Sequence, residues 1–171
     1  MEGKMVPTPC FDAWKEGNIT YGGQLSLATC KKMLEAGGKQ AKKEGVPMTI
    51  AICDSGGNLM ALHRMDDAAL FSIQIAIDKA YTAVFGKQDT SKIGTHFRNG
   101  NLVPLFFHER WITFPGGFPI IKDGKLLGGI GVSGGVAEDV LVARAVLEAG
   151  GFSTCEADEF LEAMAASEKK K

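Results

Sequence analysis

Two short polar turns constrain this chain more than any other feature. Lys122-Asp123-Gly124-Lys125 separates the strand-like run Phe118–Lys122 from Leu126–Val132, and Asp54-Ser55-Gly56-Gly57-Asn58 separates Met48–Cys53 from Leu59–Arg64. Turns this short can join only antiparallel neighbours, because a parallel crossover needs a dozen or more residues. Helical patterns stand between and around the two hairpins. From Gln24 to Lys43, Leu27, Cys30, Leu34 and Ala41 share one face, with lysines opposite, and Gly45-Val46-Pro47 ends the pattern. A second helix starts near Asp66-Asp67-Ala68-Ala69 and runs to about Phe85, and a third spans Ala137–Ala149, closed by Gly150-Gly151. The order helix, hairpin, helix, hairpin, helix predicts an α+β domain, an antiparallel sheet covered by helices.

The middle helix is apolar on two sides. Leu70, Ile73, Ile77, Tyr81 and Val84 form one stripe, and Phe71, Ile75, Thr82 and Phe85 a second. A single sheet can cover only one of them, so a partner subunit is expected on the other. The remaining segments are read as an irregular arm over 1–24, a short helix over Asp89–Phe97, an aromatic loop over Asn99–Trp111 and a strand segment at Ile112–Phe114. From Ser153 onward the chain is read as a polar tail, helix-prone near Ala157–Ala166. The predicted organisation is therefore an arm (1–24), one domain (25–152) and a tail (153–171).

Composition narrows the class. With 171 residues, 45% hydrophobic and 23% charged, the chain can bury a substantial core. A net charge of −1 gives no global field to attract nucleic acid. No run approaches the roughly 20 apolar residues of a membrane span, and residues 1–7 hold no apolar stretch of signal-peptide length. The four cysteines (Cys10, Cys30, Cys53, Cys155) are scattered, so reduced thiols in a cytoplasmic protein are expected. His63, His96 and His108 likewise lack metal-ligand spacing.

Ile130–Ala145 condenses a strand, a glycine-rich turn and a helix into sixteen residues. Ser133 is the expected helix cap, Glu138 and Asp139 complement the positive end of the helix dipole, and the turn amides can hold an anion. Tight packing explains such a turn equally well.

Four blocks taken together carry a resemblance: Cys53-Asp54-Ser55-Gly56-Gly57-Asn58-Leu59, Arg64-Met65-Asp66-Asp67-Ala68, Phe114-Pro115-Gly116-Gly117-Phe118-Pro119-Ile120 and Gly129-Ile130-Gly131-Val132-Ser133-Gly134-Gly135. In this order, supported by Asp78-Lys79-Ala80, they resemble the GlcG/HbpS-like family, which includes the haem-binding C-terminal domain of PduO-type proteins. Asp67 departs from the glycine expected there. The resemblance implies a profilin-like fold with a five-stranded antiparallel sheet and helices on both faces, assembled into homo-oligomers as large as octamers. It also implies one of several roles: haem binding or degradation, a part in glycolate or diol catabolism, or lyase chemistry on aromatic hydroxylamines. The shared motifs are mostly turns, so they speak for fold more than for activity.

The candidate residues serve two readings. In the first, a haem or tetrapyrrole lies against Phe114 and Phe118, Arg64 or Lys79 holds a propionate, and a histidine reaches the iron. His108, in an aromatic loop beside Glu109, is the leading metal ligand, with His63 and His96 behind it. In the second, a cofactor-independent enzyme acts on a small carboxylate-bearing aromatic or hydroxy-acid substrate. There Arg64 binds the carboxylate, Lys79 moves a proton, and the amides of Gly116 and Gly117 stabilise negative charge. Each residue also has a structural explanation: Arg64 and Asp66 as an ion pair shaping a turn, Lys79 snorkelling or pairing with Asp78 of a neighbour, and Gly116-Gly117 as a bulge. Whether the chain is an enzyme stays open at this level.

Overall fold

The structure, a computed structural model, describes residues 20–21, 24–98 and 109–168. Four strands of six to nine residues form an antiparallel sheet: β2 (Thr49–Asp54), β3 (Leu59–Arg64), β4 (Gly117–Lys122) and β5 (Lys125–Ser133). Both hairpins form as their turn chemistry requires, β2 with β3 and β4 with β5, and β2 also pairs with β5. The order is therefore β3-β2-β5-β4. The expected five-stranded antiparallel sheet is corrected in one respect: what joins these four strands is the two-residue β1 (Thr20–Tyr21), and it runs parallel to β5 at Lys125 and Leu126. That stretch of β5 is already bonded to β4 on one side and lies beyond the end of β2 on the other, so only a short edge remains to be paired.

Helices cover both faces, and the period of two along the strands sorts the side chains between them. Ile50, Ile52, Ile130 and Val132 point into the main core under α1 (Leu27–Glu44) and α4 (Ala137–Gly150). Ser26 caps α1 by accepting from the Thr29 amide, and Gly45 ends it in the left-handed region. On the other face lies α2 (Phe71–Gly86), shorter at its start than the acidic pair Asp66-Asp67 predicted, because Asp67 adopts positive φ and a turn intervenes. Here β5 is glycine where β strands usually carry side chains. A Cβ on Gly131 would sit 2.0 Å from the Ala76 carbonyl oxygen, and one on Gly129 2.5 Å from that of Ala80. The helix backbone thus rests directly on the sheet, which buries Lys79 beside it.

Four further expectations change in three dimensions. Ile112–Phe114 is not a strand; the chain stays irregular until Gly117, held by the Val132 amide donating to the Gly116 carbonyl at 2.9 Å. The tail is a packed helix, α5 (Cys155–Glu168), whose Glu156 and Ala157 are buried. Ser133 is the last residue of β5 and caps nothing; the turn amides of Gly135 and Val136 instead donate to Asp139 Oδ1 and Glu138 Oε2, reaching back from the first turn of α4. Cys30 and Cys53 are free and buried, whereas Cys155 is disulfide-bonded, against the expectation of uniformly reduced thiols. A short helix, α3 (Thr90–Arg98), follows α2 as predicted, and Asp89 Oδ1 accepts from the Ser91 amide at its start. No helix among the described residues is long and apolar enough to cross a membrane.

Candidate functional site

Of the residues singled out from the sequence, Arg64 and Asp66, with His63, line one cavity, and Lys79 and Phe114 line another. The larger, about 500 Å³, is a groove between α1 and the end of β3, lined by Glu35, Gly38, Lys39, Lys42, His63, Arg64, Met65 and Asp66. Its helical wall is a single face, since positions 35, 38, 39 and 42 repeat at the spacing of successive turns. In the sequence these lysines look like an ordinary solvated face. Only the packing of α1 over β3 turns them towards His63 and Arg64. The His63 ring lies beneath Gly38, where a Cβ would stand 3.1 Å from its Cε1, and its Nδ1 lies 3.4 Å from the Leu34 carbonyl oxygen. A carbonyl can only accept, so this contact favours the proton on Nδ1 and leaves the lone pair on Nε2. Arg64 forms no ion pair among the described residues, so the turn-shaping Arg64–Asp66 pair does not form.

The smaller cavity, about 220 Å³, lies between the start of α2, the segment before β4 and the turn into α4. Phe71, Ile75, Phe114, Pro115 and Val136 make its walls, and Lys79 and Asp139 supply the charge. Phe71 and Phe114 stand at the rim, 67% and 70% exposed. Lys79 does not snorkel. Only 2% exposed, it donates from Nζ to the Val132 carbonyl at 2.7 Å and to Asp139 Oδ2 at 2.8 Å. Burial pushes the Lys79 ammonium towards deprotonation, while the Asp139 carboxylate opposes that push. Asp139 is itself pushed up by burial, against the pull of Lys79 and the Gly135 amide. Its role as the partner of Lys79 was missed, because acidic charge in a first helical turn is adequately explained by the dipole. Asp78, weighed as a partner for Lys79 from a neighbouring subunit, pairs within the chain with Arg110 at 2.9 Å.

The other candidates are placed as follows. Gly116 (φ 108°) stands against the small cavity: a Cβ there would sit 2.8 Å from Asp139 Cβ and 3.2 Å from Lys79 Nζ. Gly117 is a packing position, with a Cβ blocked by Thr90 Cγ2 at 2.5 Å and the Lys79 carbonyl at 2.7 Å. Phe118 is 1% exposed and belongs to the main core, so it walls neither of these two cavities. The side chains of β4 alternate, and Phe118 takes the face turned to α4. His108 lies outside the described residues. No group of three or more metal-ligating side chains occurs among the described residues.

This architecture, a glycine-rich antiparallel sheet with helices on both faces, matches known proteins along most of its length. A family described as haem-degrading, HbpS-like proteins matches residues 25–148, and the chain belongs to that family. A 15.0 kDa protein of the dhaT-dhaS intergenic region of Citrobacter freundii is 38% identical over 128 residues, covering 72% of this chain and 90% of that protein. Protein GlcG of Escherichia coli K12 is 36% identical over 110 residues, covering 64% and 81%. Among solved structures, the PduOC–haem complex is 31% identical with a TM-score of 0.72, over 77% of this chain and 99% of that one.

Proposed function

We propose that the chain binds haem or a related tetrapyrrole in the groove between α1 and β3. The observation that carries this reading is His63: an imidazole seated under Gly38 with Nδ1 turned to a backbone carbonyl, so that Nε2 is the nitrogen able to ligate iron. Around it, Lys39, Lys42 and Arg64 outnumber the carboxylates of Glu35 and Asp66 and offer positive charge to two propionates, Arg64 in the two-pronged manner suited to a carboxylate. The groove's volume falls in the ~300–1,000 Å³ range of small-molecule sites, whereas the Lys79 cavity is below it. The haem complex of a relative supports the ligand class. When bound, the group would supply a redox-active iron; Lys39, Lys42 and Arg64 would hold its propionates, and His63 would offer Nε2 to the iron. We place the ligand-binding domain within 25–152 of a profilin-like fold, in a cytoplasmic homo-oligomer, with the exposed Phe85 of α2 as part of the subunit contact.

Haem titration of the purified protein tests this. A saturable, stoichiometric shift of the Soret band, with affinity lost in His63→Ala and weakened in Arg64→Ala, is expected. A non-saturating response, or one unchanged in His63→Ala, overturns the assignment of the groove.

A further inference from the structure

We propose that the Lys79–Asp139 cavity, independently of the groove, takes a small uncharged aldehyde or ketone and holds it as an imine on Lys79 Nζ. Charge balance comes first. Among the described residues lining this cavity Lys79 is the only cation and Asp139 the only anion, and they already neutralise each other. A carboxylate entering here would meet Asp139 with no second cation to offset it, so the substrate expected from the sequence fits poorly. A neutral carbonyl needs only a hydrogen-bond donor. An ammonium has three, and those of Lys79 are engaged by the Val132 carbonyl and Asp139 Oδ2, leaving one.

Space and shape come second. About 220 Å³ walled by Phe71, Ile75, Phe114, Pro115 and Val136 suits a compact apolar body with one polar end. Gly116 keeps the approach open, since a side chain there would lie 3.2 Å from the reacting nitrogen. The proton traffic comes third. Asp139 is fixed by the Gly135 amide on Oδ1 at 2.8 Å, which leaves Oδ2 against the amine to take and return a proton. Burial in an apolar wall favours the neutral, nucleophilic amine, as in other Schiff-base lysines.

The step balances without a co-reactant. Asp139 takes a proton from the Lys79 ammonium, and the freed Nζ lone pair forms a bond to the carbonyl carbon while the carbonyl π pair moves to oxygen. Proton transfer from the nitrogen gives a neutral carbinolamine. Asp139 then returns its proton to the carbinolamine hydroxyl, which leaves as water, and the iminium remains beside the Asp139 carboxylate.

Reductive trapping tests the proposal on the full-length protein. Benzaldehyde with cyanoborohydride should attach one benzyl group at Lys79, located by peptide mapping, before the exposed lysines Lys31, Lys32, Lys39 and Lys42 react. Asp139→Asn should slow that labelling by roughly tenfold or more, in line with the loss of a general acid–base group. 4-Carboxybenzaldehyde should label Lys79 more slowly than benzaldehyde. Labelling confined to the exposed lysines overturns the proposal from the wild-type protein alone, and faster reaction of the carboxylated aldehyde overturns the charge argument. Haem binding in the groove is read separately, by its absorbance, so failure of one site is distinguishable from failure of the other.

Discussion

The two cavities are both built around positive charge, but they hold it in opposite ways. In the groove the cations stand on surfaces, with Arg64, Lys39 and Lys42 exposed and free to meet an anion from solvent. In the small cavity the single ammonium is buried and has its counter-charge built in, 2.8 Å away. Exposed charge can be removed with little effect on the fold and a direct effect on binding. A buried pair is woven into the structure, so removing either partner leaves the other stranded in a low-dielectric site.

That difference is most sharply tested by Lys79→Met. It strands the Asp139 carboxylate and should destabilise the protein by about 3–5 kcal/mol, read from the denaturant midpoint at pH 7. A loss below ~1 kcal/mol would mean that the pair contributes little. Next comes Gly131→Ala, which sets a methyl 2.0 Å from the Ala76 carbonyl oxygen and must lift α2 off the sheet. About 1–3 kcal/mol is expected, by the same measurement.

A third charged cluster sharpens the comparison, because there the buried groups have the same sign. Asp89 and Glu156 meet where α3 begins against α5, and Asp89 Oδ2, Glu156 Oε2 and the neighbouring Gln88 Oε1 have no hydrogen-bond partner among the described residues. Lys92 answers them only in part, 3.7 Å from Glu156 Oε1 and 2.7 Å from Glu159 Oε2. Burial first, and the nearby Asp89 second, push the Glu156 carboxyl up to about 8 from 4.5. The sign follows directly. Between pH 4.5 and about 8 the unfolded chain has released a proton that the folded chain retains, so stability falls as pH rises through that window. Thermal melts across it should show this decline, and Glu156→Gln should flatten it. A decline unchanged in that variant would assign the effect to other groups.

The smallest change in stability is expected for Arg64→Ala, within about 0.5 kcal/mol, because the side chain is exposed and forms no ion pair among the described residues. Its effect belongs to the ligand, as weaker haem affinity whose difference from the wild type shrinks with added salt. A large loss of stability in this variant would show that the turn, and not a ligand, needs Arg64.

Much of the architecture was legible because it is locally encoded. Asp123-Gly124 and the Asp54–Asn58 turn specify hairpins from a few consecutive residues, and Leu27, Cys30, Leu34 and Ala41 announce an amphipathic helix by spacing alone. The resemblance to a family drew on the same turns and glycines. The candidate site was legible only as parts. Lys79, Arg64, Asp66, Phe114 and Gly116 do line or border cavities, but two of them, Arg64 and Asp66, belong to one cavity and the rest to another. Phe118 turns to the α4 face and Gly117 to the α2 face, because a single step along a strand reverses the face, and the register that decides the face is set by pairing with β5.

What the sequence determined by itself was therefore the order of elements, their antiparallel connection and the glycine-rich seam on which a helix can rest. Which groups meet was decided by the tertiary structure. Lys79 and Asp139 stand 60 residues apart and Leu34 and His63 29 apart, distances over which no periodicity or turn chemistry carries information. Those partners are selected when α2 settles on Gly129 and Gly131 and α1 crosses β3, because close packing leaves each buried polar group only the partner that the fold brings to it.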